Sequence, residues 1–274
     1  MSQLPSERAA PPDRLAPPAW LALREPADRA ARDASLLAAL STWSAGRARL
    51  RVLDLGCGTG ATLRSLAPAL PPPQCWLLVD DDAEVLAHCP ETLGDATVAT
   101  ARYELARELE LLPWDSLDLV TTTGFLGLAA PEWLARFTAL ARRATLYLAL
   151  IPDGRIELRP AVQGDDTVLN LLERHRCGVR PCAPSPAEGS GRGTVSTLAE
   201  LLRTDGREVE IASSDWRLEP EQAALQAAVL DRFATAASRQ APELTESIAR
   251  WRAARAALPR QRIRVGHQDL LSLR

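Results

Sequence analysis

The stretch from Val52 to Gly60, "VLDLGCGTG", limits the fold more than any other: an apolar run ends in an acid and a glycine turn, then gives way to helix-forming "ATLRSL". A β-rich run followed by closely spaced glycines is the entry to a βα unit, where backbone lacking Cβ atoms can face a ligand. From Leu50 onward, β-rich runs alternate with helical ones. Strands are expected over 50–55, 76–80, 96–102, 117–123 and 144–151. Helices are expected at "ATLRSLAPAL", "AEVLAHC", "LARELELL" and "PEWLARFTALARR", with prolines 71 to 73 enforcing a connector. This alternation predicts α/β architecture, a parallel sheet covered on both faces.

Outside that core, the first fifteen residues are rich in proline, alanine and charge and read as a flexible tail, 1–15, ahead of a single domain, 16–274. Apolar positions Ala30, Leu36, Leu37, Leu40 and Trp43 predict one helix from Pro26 to Trp43, stopped by Gly46. Segment 152–194 ends in "CAPSPAEGSGRGT" and reads as an insertion or lid. The helix "TVSTLAELLRTDG" then leads to a strand over Arg207–Ala212 and a closing strand over Arg260–Gly266. Between those strands lies a helical insertion, 219–258, with Leu244, Ile248, Trp251 and Leu258 on one stripe.

Composition removes several function classes. The chain has no lysine, so neither Schiff-base chemistry nor a P-loop lysine is available. A net charge of −3 argues against a nucleic-acid partner. The cysteines, Cys57, Cys75, Cys89, Cys177 and Cys182, are odd in number and scattered, as expected of reduced thiols in a cytoplasmic protein. No run approaches the roughly 20 apolar residues that span a bilayer, so no membrane partner is expected.

Asp54 puts a carboxylate at the end of the first strand, and Asp80 ends the second strand about 20 residues after the turn, where an acid can accept both ribose hydroxyls. Asp82 reads as the N-cap of the following helix, and Asp81 is open to either role. Strand, acid, glycine turn and second acid resemble the class I S-adenosylmethionine-dependent methyltransferases, by motif over roughly residues 50–152 and by element order beyond. The resemblance implies a doubly wound, mainly parallel seven-stranded sheet with an antiparallel last strand, an N-terminal helical lid and a helical insertion in the final hairpin. It implies S-adenosyl-L-methionine as cofactor, with Asp54 and the backbone of Gly56, Cys57, Gly58 and Gly60 at the methionine end. Asp80, with Asp81 beside it, would hold the ribose; Glu104 and Leu105 would meet the adenine; Thr122, Thr123 and Gly124 would border the methyl group.

"GCGTGA" also satisfies the G-x-G-x-x-A form of the nicotinamide-dinucleotide fingerprint. Charge separates the two, because a pyrophosphate would be repelled by Asp54 whereas an ammonium and a sulfonium are favoured. No (D/N)PP(Y/F) follows the fourth strand, which argues against amino-group methylation of bases or glutamine. His175, in the insertion after the fifth strand, is the candidate general base, while His88 and His267 read as structural. His175, Cys177 and Cys182 are too irregularly spaced for a zinc site, and no metal is expected. Arg24 reads either as a ligand for a carboxylate or as the partner of Glu25 or Asp28, and Trp43, Trp133 and Trp251 read as core. The expected activity is in-line methyl transfer to a small-molecule acceptor. The alternatives are a non-catalytic S-adenosylmethionine-binding sensor or assembly protein, an RNA methyltransferase, and an NAD-dependent oxidoreductase.

Overall fold

In a computed structural model, which describes residues 17–179 and 191–274, β1 (Leu50–Leu55) lies between two parallel neighbours, β2 (Gln74–Asp80) and β5 (Leu119–Thr123). Outside β2 lies β4 (Ala96–Arg102), edged by the short antiparallel β3 (Thr92–Leu93); outside β5 lies β6 (Thr145–Arg159). The antiparallel β9 (Arg262–Ser272) follows β6 and pairs with β7 (Glu210–Ser213) and β8 (Trp216–Leu218). The order β3-β4-β2-β1-β5-β6-β9-β7, with β8 on β9, is the expected doubly wound sheet plus two short strands, β3 and β8, too brief to show in the sequence pattern.

Alternation along the strands sends side chains to two cores. Leu53, Leu55, Val120, Leu146, Leu148 and Leu270 pack with α5 (Pro131–Leu140) and α7 (Gly191–Thr204) through Trp133, Phe137, Leu198 and Leu202. Leu50, Val52, Trp76, Leu78, Leu119 and Tyr147 pack on the opposite side with α2 (Ala34–Ser44) and α3 (Ala61–Leu66). A third core joins α1 (Pro18–Ala31) to α6 (Asp165–Val179), α8 (Ala223–Gln240), α9 (Thr245–Ala256) and the far halves of β6 and β9.

The structure departs from the sequence reading at several elements. The single helix expected from Pro26 to Trp43 is two, because Asp33 N-caps α2 through the amides of Ser35 and Leu36, and α1 continues upstream through Pro26. "AEVLAHC" forms one turn, α4 (Ala83–Leu86). "LARELELL" forms no α-helix; its end is a 3₁₀ turn, Leu109–Leu111, cut short by Pro113. The segment expected as an insertion from residue 152 begins inside β6, which runs past a register shift to Arg159, and the closing strand reaches Ser272. The tail 1–15 and Cys182 lie outside the described residues. Among the described residues, no helix is long and apolar enough to cross a membrane.

Candidate active site

Elementary sterics shape the turn after β1. Gly58 has φ +54°, and a Cβ there would lie 3.0 Å from Leu21 Cδ1 of α1. A Cβ on Gly56 (φ +63°) would lie 3.0 Å from the Phe125 ring. The bare backbone therefore accommodates the protein's own covering side chains, and Gly60, left-handed at φ 81°, leads into α3. Asp80 fixes the turn from the next strand: its carboxylate accepts from the Gly58 amide at 2.9 Å and the Asp82 amide at 3.2 Å. Burial raises its pKa, against those amides. Arg64 closes the other side, donating to the Thr59 carbonyl at 2.6 Å and to Glu25 of α1 at 2.6 and 2.8 Å.

At the C-terminal ends of β1 and β5, next to the break between α1 and α2, lies a cluster of buried polar side chains. Asp54 is fully buried and neither carboxyl oxygen has a hydrogen-bond partner; burial pushes its pKa up to about 8, only partly offset by Thr62 and Arg32. Arg32 is 6% exposed, and its Nε and Nη1 are also unpartnered. Its Nη2 donates to Thr123 Oγ1 at 2.8 Å, and that oxygen also accepts from Thr62 at 3.0 Å. The guanidinium lies 5.7 Å from the Tyr147 ring centre, and the Tyr147 hydroxyl donates to Asp269 at 3.1 Å. Thr121 and Thr122 carry further unpartnered buried hydroxyls. Sequence reading singled out Arg24 and missed Arg32, whose one local signal is its place just before the N-cap Asp33.

A second polar cluster sits past β5. Arg24 bonds Asp28 at 2.7 Å, one of the two partners expected of it, and stands 5.4 Å from the Trp216 ring centre. A Cβ on Gly124 would lie 2.9 Å from Arg24 Nη2, so this arginine covers the end of β5. The Trp216 ring is 5.3 Å from that of His267, and Trp216 Nε1 donates to Asp28 at 2.9 Å. His267 is buried with Nδ1 unpartnered. Burial and then Arg24 hold its pKa down at about 4, opposed by Asp153 and Asp215.

The remaining residues named from sequence are spread more widely. Glu104 is exposed and pairs with Arg107, and Leu105 is buried with its carbonyl accepting from Trp133 Nε1 at 2.8 Å. Asp81 is exposed, its carbonyl taking a bond from Arg102. His175 is half-buried on α6, which packs chiefly on α8. His88 is exposed with Nδ1 on the Glu84 carbonyl, while Trp133 and Trp251 are core residues. Among the described residues, no group of three His, Cys, Asp or Glu side chains is placed to hold a metal ion.

Residues 52–145 match a family model described as a methyltransferase domain. No curated protein matches the chain. Distant likeness extends to solved structures. The YcgJ protein of Bacillus subtilis is 14% identical with TM-score 0.48, over 88% of this chain and 99% of that one. A SAM-dependent methyltransferase from Thiobacillus denitrificans, in complex with S-adenosyl-L-homocysteine, is 17% identical with TM-score 0.45, over 93% and 98%. Another from Geobacter sulfurreducens, in the same complex, is 16% identical with TM-score 0.45, over 89% and 92%. The matched segment, 52–145, holds the glycine turn, Asp54, Asp80, most of β1 and strands β2 to β5, and it is this part of the chain that is similar to a methyltransferase domain.

Proposed function

We propose that the protein is an S-adenosylmethionine-dependent methyltransferase that acts by in-line transfer on a small-molecule acceptor. The observation that carries this reading is the pair of unpartnered ionisable groups at the end of β1: Asp54 with neither carboxyl oxygen bonded and Arg32 with two nitrogens free, both buried. An α-amino acid presents the complementary pair, an ammonium for Asp54 and a carboxylate for the planar fork of Arg32. The methionine end of the cofactor is such a group, whereas a pyrophosphate would suit Arg32 and offer Asp54 no cation to favour its ionised form.

In this reading the Gly56, Cys57, Gly58 and Gly60 backbone lies along the methionine end. Asp80, with Asp81 beside it, serves the ribose, and Glu104 and Leu105 serve the adenine. When bound, the cofactor supplies a methyl group on a sulfonium, already reactive toward a nucleophile. What the chain adds is alignment and exclusion of water. Thr122, Thr123 and Gly124 border the acceptor, and Arg24 and Trp216 close the site above them. His175 remains the candidate general base; His267 is linked to this face through Trp216 and Arg24, and its unpartnered Nδ1 offers a hydrogen-bonding atom there.

The test is incubation with methyl-labelled S-adenosylmethionine and a metabolite extract. Label in small molecules, matched by S-adenosylhomocysteine, is the expected result. Tight S-adenosylhomocysteine binding with no labelled product would leave a cofactor sensor instead. Uptake of NAD with indifference to S-adenosylhomocysteine would overturn the reading.

A further inference from the structure

Cys57, in the glycine turn, and Cys89, just past α4, converge on one atom: the Gly58 carbonyl accepts from the Cys57 thiol at 3.5 Å and from the Cys89 thiol at 3.3 Å. Both are free, one buried and one half-buried. We propose that Cys57 and Cys89 form a dithiol modification site for hydroperoxides, and that the resulting disulfide closes the glycine turn to its ligand. The effect on the ligand rests on the cofactor reading above; formation of the bond does not.

The two thiols have unequal roles. The neighbouring Cys89 thiol and then burial push Cys57 up, whereas Cys89 is lowered, by its hydrogen bond with Cys57 and by the charge of Arg64, against burial. Cys89 is therefore the attacking thiolate. It displaces hydroxide from hydrogen peroxide as the O–O bond breaks, giving a sulfenic acid. Cys57 sulfur then attacks that sulfur and expels the second hydroxide. With both thiol protons transferred to the departing hydroxides, two thiols and one peroxide give one disulfide and two waters.

Cys75 competes for oxidant but not for this bond. It lies near the start of β2, in register with Arg51, while Cys57 follows the far end of β1. Five residues of strand rise, about 16 Å, separate it from the turn.

A disulfide needs its sulfurs about 2.0 Å apart. Sulfurs that now flank a carbonyl must meet, so the Gly58 carbonyl loses both donors and the turn shifts against α4. The amide of the same residue is the one Asp80 holds, so the displacement reaches the proposed ribose acid too.

The experiment treats the full chain with hydrogen peroxide and titrates it calorimetrically with S-adenosylhomocysteine before and after. Digestion after arginine and glutamate separates Cys57, Cys75 and Cys89, because Arg64 and Glu84 lie between them. A Cys57–Cys89 linked peptide is expected, with affinity lowered about tenfold or more and restored by dithiothreitol. Cys89→Ser should bind like the untreated protein both before and after peroxide. Absence of the linked peptide, or its formation with unaltered affinity, overturns the proposal. If the reduced protein ignores S-adenosylhomocysteine, the cofactor reading fails, and the linked peptide alone decides whether the dithiol forms its bond.

Discussion

Burial holds the Asp54 carboxyl up at about 8, so near neutral pH the ligand-free folded chain keeps a proton that the unfolded chain has lost. Stability therefore declines as pH rises from the ordinary carboxylate range toward 8. His267 works in the opposite sense: held at about 4, it leaves the unfolded state with the extra proton between 4 and 6.5, so stability there climbs with pH. The two trends oppose each other below 6.5, and Asp54 dominates above it. Unfolding free energy should fall between pH 6.5 and 8, and Asp54→Asn should remove most of that slope; an unchanged slope would assign it elsewhere. The same proton must leave when a cationic amine arrives. Calorimetry in buffers of different ionisation enthalpy should accordingly detect release approaching one proton per S-adenosylhomocysteine near pH 7, lost in Asp54→Asn. Arg32 is the matching half. Arg32→Met should weaken S-adenosylhomocysteine binding by about 1.5–3 kcal/mol, the range for hydrogen bonds to charged groups. Its melting temperature should hold or rise, because the change removes buried N–H groups that have no partner. A large loss of stability with intact binding would make Arg32 a structural residue.

The elements show where sequence suffices and where it fails. Strands β1, β2, β4 and β5 were legible because their apolar alternation and glycine punctuation are local properties, and Asp54, Asp80 and the turn came with them. The α1–α2 break was not, because the apolar spacing runs straight across it and only the Asp33 side chain, bonded to two amides, ends one helix and starts the next. With the break went Arg32, which that corner brings into the buried cluster with Thr123, Thr62 and Asp54. Trp216 and His267 were hidden for a different reason: β8 is three residues long, and its pairing with β9, Trp216 to Val265 and Leu218 to Ile263, joins positions far apart in sequence. The α1 cover also changes what a glycine substitution tests. At Gly58 a side chain meets two costs, a positive φ worth about 1–2 kcal/mol and contact with Leu21 at 3.0 Å. Gly58→Val should therefore abolish S-adenosylhomocysteine binding and also lower the melting temperature. In a Gly58→Ala background, Leu21→Ala should recover the steric part and leave the backbone part. Strict additivity of those two changes would mean that α1 does not press on the turn.

At the scale of the whole molecule, the segments read as two separate insertions, a lid and a helical one, pack as one lobe, because α6 from the first and α8 and α9 from the second share a core with Leu158, Ile263 and Trp216. A buried ionic knot ties α6 to α9: Asp165 on α6 accepts from Trp251 Nε1 at 2.8 Å, from Arg255 Nε at 3.0 Å and from the Val162 amide at 2.8 Å. Periodicity reveals the stripe of Leu244, Ile248 and Trp251 around α9, but neither α6 nor the fact that residues 90 apart face each other. Arg255 is completely buried, so deleting its carboxylate strands a charge away from water. Asp165→Ala should cost about 3–5 kcal/mol of stability, and Asp165→Ala with Arg255→Met should recover much of it, since a buried charge is harmful chiefly when unpaired. The loss should also be uneven in space. Hydrogen exchange should speed up in α6, α8 and α9 while β1, β2 and β5, held by the other two cores, stay protected. Because Ala27 places α1 in the same lobe core, and α1 carries Leu21 and Arg24 over the glycine turn and β5, the α1 amides should quicken along with the lobe. Uniform acceleration through sheet and lobe alike would show one cooperative unit, and α1 amides that stayed protected would mean that the turn's cover is held by Glu25 and Arg64 alone.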